Sequence, residues 1–404
     1  MHAAATLQWA PLGWLELKVK ELPSSGTLSV QWTHRVFTCR GAFTDNGDDL
    51  AAMLPQESSR VLAVLDDGLA RTNPDFAGAI TTWAHRHADR IEATGPPLIV
   101  PGGEQAKNDR TVFDQVVRAI HERHICRKSF VLAAGGGAML DAVGLAAATT
   151  HRGVRLIRLP STTLSQADAG VGVKNGINAF GAKNLIGTFA PPWAVVNDTA
   201  VLPTLSDRDW RAGLSEAVKV ALLKDESLLS EVEHAAVALR NRDLDVMERI
   251  IERTADLHVA HIVRGGDPFE IKRARPLDFG HWSAHQLEQM TGFRLSHGDA
   301  VAIGLMIDLQ YAALTLGNSQ TLVQRVASCL RSLGFPLHCD AMGDQDRLIE
   351  GIERFREHLG GDLAITMVTE PGASFEVSSI DIDAMRQSLE LTLRRGEDHI
   401  TRAG

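Results

Sequence analysis

The chain has 404 residues, of which 44% are hydrophobic and 23% charged, enough for one large or two medium cores and too apolar for a disordered, collagenous or disulfide-stapled protein. Lys and Arg number 41 against 50 Asp and Glu, a formal net charge of −9 with no basic run to follow a phosphate backbone, so no nucleic-acid partner is expected. Cys39, Cys126, Cys329 and Cys339 form no C-x-x-C pair, no stretch reaches about 18 uncharged apolar residues, and the N-terminus lacks a basic region followed by a clean apolar run. A reducing, cytoplasmic setting with no membrane partner is therefore expected.

In chain order, β-rich runs come first: RVLAVLD near 60–66, PPLIVPG near 97–102, SFVLAAGGG at 129–137 and VRLIRLPST at 154–162. Between them lie helical patterns such as 109–124, where Val112, Val116, Ala119 and Ile120 share one face. This βαβ rhythm predicts a doubly wound α/β domain. After Pro191 and Pro192 the composition shifts. SDRDWRAGLSEAVKVALLKD opens with a Ser/Asp cap, and Leu244, Met247, Ile250, Ile251, Thr254 and Leu257 recur at helical intervals. The expectation is an α/β domain over 1–195, a mostly α-helical domain over 196–404, and a ligand cleft between them.

Three stretches carry chemistry. The glycines 135–137 end a strand and open a helix, where backbone can approach a phosphate, although the spacing is not G-x-G-x-x-G and a tight turn is the plain alternative. Asp141, one turn into that helix, suits either a nucleotide hydroxyl or the helix dipole. The stretch 161–189 mixes small residues with Lys174, Asn178, Lys183 and Asn184 and predicts a polar loop system around an anionic, hydroxyl-rich ligand. Glu216, His281 and His297 compose a two-His, one-carboxylate set of the kind that holds catalytic Zn²⁺. His281 and His285, four apart on one helical face, are the rival pair, and spacing alone leaves both open.

Together these segments resemble the sugar phosphate cyclase superfamily, whose best-known member is 3-dehydroquinate synthase. The resemblance covers roughly residues 60–310 and is carried, in order, by PGGEQAKND, GGGAMLDAVGLAAATTHRGVRLIRLPSTTLSQADAGVGVKNGIN, GAKNLIGTF, WRAGLSEAVK, FGHWSAHQLE and HGDAVAIG. It implies a nucleotide-binding domain followed by a helical metal-binding domain. It places Zn²⁺, with Co²⁺ as the alternative, on Glu216, His281 and His297, and leaves His285 to handle a proton. For NAD⁺ it implies Asp66 or Asp67, with Glu104 and Lys107, at the adenosine ribose, and Gly136, Gly137 and Asp141 near the pyrophosphate and nicotinamide ribose. Ser161, Thr162, Asp168 and Lys183 complete that pocket. The substrate phosphate is expected at Lys174, Asn184 and Arg152, the last reaching in from a second subunit of a homodimer. Lys219 matches an active-site lysine, and Arg356 or His358 is a further candidate phosphate partner. The implied reaction is that of a carbon–oxygen lyase: transient oxidation of a ring hydroxyl acidifies the neighbouring C–H, phosphate is eliminated, the hydride returns, and an intramolecular attack closes a carbocycle.

The departures bear on the substrate. Where dehydroquinate synthases set a Lys, an Arg and an Asn against the substrate carboxylate, ungapped alignment of GGDPFEIKRARPLDFGH places Ala260, Ala274 and Asp278. Burying a carboxylate there, uncompensated and beside an acid, is unfavourable unless Arg273 or Arg275 swings in. A phosphorylated sugar without a carboxylate, sedoheptulose 7-phosphate, resolves the conflict, and VGVKNGIN together with His285 resembles the 2-epi-valiolone synthase branch. The alternatives are 3-dehydroquinate synthase itself, a glycerol-dehydrogenase-like oxidoreductase, and an inactive binding protein derived from a cyclase.

Overall fold

A computed structural model describes residues 26, 29–56, 58–271, 275–317, 319–358 and 361–403. The chain separates into residues 1–33 and a compact unit from His34 onward, and the description below concerns that second unit. Strands β1 (Val36–Cys39), β2 (Ser59–Asp66), β3 (Ile91–Ala93), β4 (Leu98–Val100), β5 (Phe130–Gly135), β6 (Arg155–Pro160) and, beyond the hairpin of β7 (Lys174–Ala179) and β8 (Ala182–Phe189), β9 (Ala194–Asp198) alternate with helices. Those helices are α1 (Gly47–Ala52), α2 (Asp67–Thr72), α3 (Phe76–Arg86), α4 (Gln105–Asn108), α5 (Thr111–Glu122) and α6 (Gly137–Thr149). Of these nine strands, all but β7 and β8 join one parallel sheet in the order β1-β9-β6-β5-β2-β3, with β4 also on β2.

A parallel sheet is covered on both faces, so its central strands read as unbroken apolar runs. Every residue of β5 is buried, and along β2 Leu62 and Val64 pack into one cluster with Val116, Ile120 and Val143 while Val61, Ala63 and Leu65 face the other. That second cluster continues without a break into the helical half through Trp210, Leu214, Val218 and Val301. The two halves thus share one core across the expected boundary at 195.

The second half contains α7 (Asp207–Lys224), α8 (Glu226–Arg240), α9 (Leu244–Arg264), α10 (His281–Met290), α11 (His297–Thr315), α12 (Gln320–Ser332), α13 (Gln345–His358) and α14 (Ile382–Ala403). Their starts follow from capping: Ser206, Asp225, Asp243 and Ser296 each accept a backbone N–H from the first turn. Helix α11 is buried continuously from Gly298 to Ala312, as a helix apolar on all sides must be.

One expectation needs correction. The 161–189 stretch is not simply loop: it forms a π-helical turn at Ser165–Ala169 and the antiparallel hairpin β7–β8. Strand β8 is mostly exposed, with Leu185 and Ile186 outside the core, so it lacks the alternation by which a strand is recognised. The second half is mostly helical as expected and includes one antiparallel hairpin, β10 (Ile365–Glu370) and β11 (Ala373–Val377). Among the described residues no helix is long and apolar enough to cross a membrane, and Cys39, Cys126, Cys329 and Cys339 are free.

Candidate active site

A cavity of about 410 Å³ opens where the β5–α6 turn, the β7–β8 hairpin, α7, α9, α10 and the start of α11 meet. On its sheet side, Gly136 caps α6 in extended conformation with no side-chain cap, so the first N–H groups of the helix face the space that Gly136, Gly137 and Ala138 line. Unpaired donors at the positive end of a helix dipole make a seat for a phosphate. A Cβ at Gly137 would lie 3.0 Å from that of Ala169, so the close approach there depends on glycine. Glu104, Lys107, Asp141, Thr162, Asp168 and Lys183 also line the cavity. Lys107 donates to Asp141 at 2.8 Å, and the fully buried Arg158 lies 4.0 Å from the same carboxylate.

Asp66 and Ser161 do not line it. Asp66 caps α2, accepting from Gly68 and Leu69, and sits behind Gly102, where an added Cβ would fall 2.2 Å from its Oδ2. Asp67 accepts from the Gly102 N–H at 2.9 Å, and the Ser161 N–H is spent on the carbonyl of Gly135.

On the helical side Glu216, His281 and His297 converge. Glu216 is fully buried on α7, and its Oε1, buried without a hydrogen-bond partner, lies 3.6 Å from His281 Nε2 and 3.5 Å from His297 Nε2. A tetrahedral ion with ligands about 2.0–2.1 Å away sets its donors about 3.3 Å apart. Both rings turn their other nitrogen outward, His281 Nδ1 to the Phe279 carbonyl at 3.0 Å and His297 Nδ1 to Glu288 at 3.4 Å. Such outer bonds fix tautomer and aim, so the donor set fits a divalent ion. His285, Glu288 and His297 form a second convergent group, but both oxygens of Glu288 already accept from Lys183 at 3.1 Å. His281 and His285 pack edge to face and are not together in either group.

Charge is tightly compensated here. Burial opposes ionisation of Glu216, yet Lys219, 2.5 Å from Oε2, holds its carboxyl down at about 2. Burial likewise opposes a charge on His297, but Glu288 and Glu216 raise it to about 10. Burial, with His281 beside it, pushes His285 down to about 3 and keeps its ring neutral. Lys219 is also 3.6 Å from Asp168, which lies 3.0 Å from His258 Nδ1.

Lys174, Asn184 and Asp278 also line the cavity. Lys174 is half-exposed and 2.5 Å from Glu270. Asn184, at φ +53, is held by its N–H bond to Asn178 Oδ1, while the Asn178 amide donates to Glu104 and Asn108. Burial works against the charge on Asp278, but Lys174 and His281 keep it below the usual carboxylate range. Ala260 does not line the cavity. Its neighbours His258 and His261 do, and burial, with Lys224, pushes His261 down to about 4. Ala274 and Arg273 lie outside the described residues, and Arg275 Nε is 3.8 Å from Glu270.

Arg152 is exposed at φ +61 after α6 and does not line this chain's cavity. Arg356 does not line the cavity: it is exposed on α13, bonded to Glu353 and the Gly361 carbonyl. The side chain of His358 lies outside the described set. The sequence reading missed Glu288, His258 and His261. An i, i+3 step from His285 points to the first, and the same step relates the other two.

Family models of 3-dehydroquinate synthase match the chain in tandem, the N-terminal one over residues 97–212 and the C-terminal one over 213–357. A 3-dehydroquinate synthase of Paracoccus denitrificans is 36% identical over 74% of this chain and 82% of its own. A 2-epi-valiolone synthase of Actinosynnema mirum is 31% identical over 72% of this chain and 76% of its own. Among solved structures, 2-epi-5-epi-valiolone synthase of Streptomyces hygroscopicus, with NAD⁺ and Zn²⁺ bound, superposes with a TM-score of 0.82 at 25% identity, over 92% of this chain and 99% of that one.

Proposed function

The chain belongs to the 3-dehydroquinate synthase family of sugar phosphate cyclases, carbon–oxygen lyases by reaction, and from that premise we propose that it cyclises sedoheptulose 7-phosphate to a valiolone-type cyclitol with loss of phosphate. The observation that carries this reading is Asp278, an acid on the cavity wall held below the usual carboxylate range, at the position where the resemblance sets an Asn against a substrate carboxylate. Eight acids, Asp278 among them, line the cavity against four lysines, and no arginine lines it among the described residues. A ligand bearing one phosphate and many hydroxyls suits such a wall better than one bearing a second, carboxylate charge, because hydroxyls donate to carboxylates and a carboxylate is repelled. The relatives named 2-epi-valiolone and 2-epi-5-epi-valiolone synthase support it.

NAD⁺ would lie along the α6 N-terminus and Zn²⁺ on Glu216, His281 and His297. When bound, these groups supply reversible hydride exchange and polarisation at one ring hydroxyl. The chain's own residues do the rest. The α6 amides and Lys107 bind and orient the dinucleotide, with Asp141, Thr162 and Asp168 beside them. Lys219 balances Glu216 and Asp168, so the buried acids are not left uncompensated. His285, neutral by burial, accepts and returns a proton at a ring nitrogen. Lys174 and Asn184 meet the phosphate, and Arg152 of a partner copy completes that site in a homodimer. In this reading residues 1–195 hold the nucleotide and 196–404 the metal and substrate. Asp66 and Ser161 then act from behind the cavity wall, by fixing the turns that carry Gly102 and Gly135.

The second reading is 3-dehydroquinate synthase, which the names of several relatives favour and which would need Arg275 to leave Glu270 for the substrate carboxylate. Purified protein with NAD⁺ and Zn²⁺ should release phosphate from sedoheptulose 7-phosphate and none from the seven-carbon keto acid phosphate. The carbocyclic product is identified by NMR. Efficient dehydroquinate formation would overturn the proposal in favour of the second reading.

A further inference from the structure

Helix α10 begins at a metal-ligand candidate, His281, and the residues on both sides of it are tied to one buried acid. The Gly280 N–H donates to Asp308 Oδ2 at 3.0 Å, and the indole N–H of Trp282 donates to Asp308 Oδ1 at 2.7 Å. Asp308 is fully buried on α11, eleven positions after His297. Each carboxylate oxygen is thus committed to one neighbour of His281, across the contact between the two helices that bear the histidines. The helices meet there at backbone distance. Gly280 is left-handed at φ +77, an added Cβ would lie 2.9 Å from Leu305 N, and a Cβ on Gly304 would fall 2.0 Å from the Gly280 carbonyl. A shift of the first turn of α10 would break both bonds and collide with α11.

We propose that Asp308 is a positioning residue for the metal centre: by clamping Gly280 and Trp282 it fixes where His281 Nε2 points, so that His281 and His297 address the same oxygen of Glu216. The bond from His281 Nδ1 to the Phe279 carbonyl sets the ring's rotation, and the Asp308 clamp sets the backbone from which it rotates. Packing alone does not call for an acid here, because a buried carboxylate with only neutral donors is costly and an apolar side chain fills the same space more cheaply. A bidentate acceptor, in contrast, can hold two donors on either side of one residue.

This inference rests on the metal-centre reading and not on the choice of substrate, so its test measures metal uptake without substrate. Apo-protein is titrated with Zn²⁺ against a chromophoric chelator for wild type, Asp308→Asn, Trp282→Phe and the double variant, with cooperative unfolding checked for each. In Asp308→Asn one amide oxygen must serve two donors while its NH₂ opposes one of them, and affinity should fall about 10- to 100-fold, as it does when an outer partner of a metal ligand is lost. Trp282→Phe removes one hydrogen bond and should cost about two- to tenfold. The double variant should recover toward that smaller loss, because the amide oxygen is then free for Gly280 and nothing opposes its NH₂. A role in packing alone would make the double variant the weakest binder. Wild-type affinity in folded Asp308→Asn, or a double variant weaker than either single one, overturns the proposal. If Asp308→Asn does not fold, Trp282→Phe at wild-type affinity does so. Wild-type protein that takes up no Zn²⁺ overturns the metal-centre reading and this inference with it.

Discussion

Two side chains in the cavity carry opposite duties because of where they are buried. Burial drives His285 down to about 3, so its imidazole is neutral at pH 7, and in the proposed function it stands beside the metal set of Glu216, His281 and His297 and shuttles a proton once substrate and metal have changed its surroundings. His285→Ala should therefore keep one Zn²⁺ per chain by atomic absorption and lower kcat by about 10²-fold or more, the usual weight of a positioned acid–base group. Equal loss of metal would make His285 a ligand. In the proposed function Asp278 acts by staying charged. Replacing it with Asn keeps an acceptor but removes the charge, so kcat/KM for sedoheptulose 7-phosphate should drop about 10- to 100-fold, the worth of one charge-assisted hydrogen bond, and discrimination against the keto acid should shrink. An unchanged ratio of the two substrates would separate Asp278 from specificity. At this scale Glu216, His281 and His297 were legible because a two-His, one-carboxylate set has a definite chemistry. Glu288 was not, since an acid one turn along a helix usually marks a solvated face, and only folding shows it turned inward onto His297 and Lys183.

The elements place those side chains by their ends more than by their lengths. His281 and His297 are the first residues of α10 and α11, so both rings hang from helix starts that must be held. At α11 the holding is local: Ser296 accepts the Asp299 N–H at 3.2 Å and donates to its carboxylate at 2.7 Å. Ser296→Ala should cost about 1 kcal/mol of stability in chemical unfolding and weaken Zn²⁺ binding, because the frayed turn is the one bearing His297. Loss of stability with unchanged metal affinity would show that Glu288 alone fixes that ring. The cap at Ser296 can be read from the residues S-H-G-D, and the buried strands β2 and β5 from their apolar runs, because in each case the signal lies within a few positions. The hairpin β7–β8 and the Asp308 clamp have no local signal. The hairpin is stabilised by bonds from Asn178 to Glu104 and Lys183 to Glu288, across separations of 74 and 105 residues, and the clamp spans 26 and 28.

At the scale of the whole molecule, the unsolved demand of the cavity is cationic. Its four lysines each lie beside an acid: Lys107 with Asp141, Lys174 with Glu270, Lys183 with Glu288, Lys219 with Glu216. A phosphate dianion entering such a site needs a partner not already neutralised, and no arginine of the described chain lines the cavity. Arg152 is exposed on a turn whose residues His151, Arg152 and Gly153 all have positive φ, and it does not line its own chain's cavity. If it serves a second copy, each working site contains Lys174 from one chain and Arg152 from the other. Arg152→Ala and Lys174→Ala homodimers would then each be inactive, whereas a heterodimer of the two would rebuild one intact site of its two. Random exchange makes half of the dimers mixed, so an equimolar mixture should recover roughly one quarter of wild-type activity. The measurement is phosphate release before and after mixing, with subunit exchange followed by energy transfer between labelled chains. Full exchange with no recovered activity would confine Arg152 to its own chain or remove it from the site, and the cation for the phosphate would then have to come from Lys174 released by Glu270.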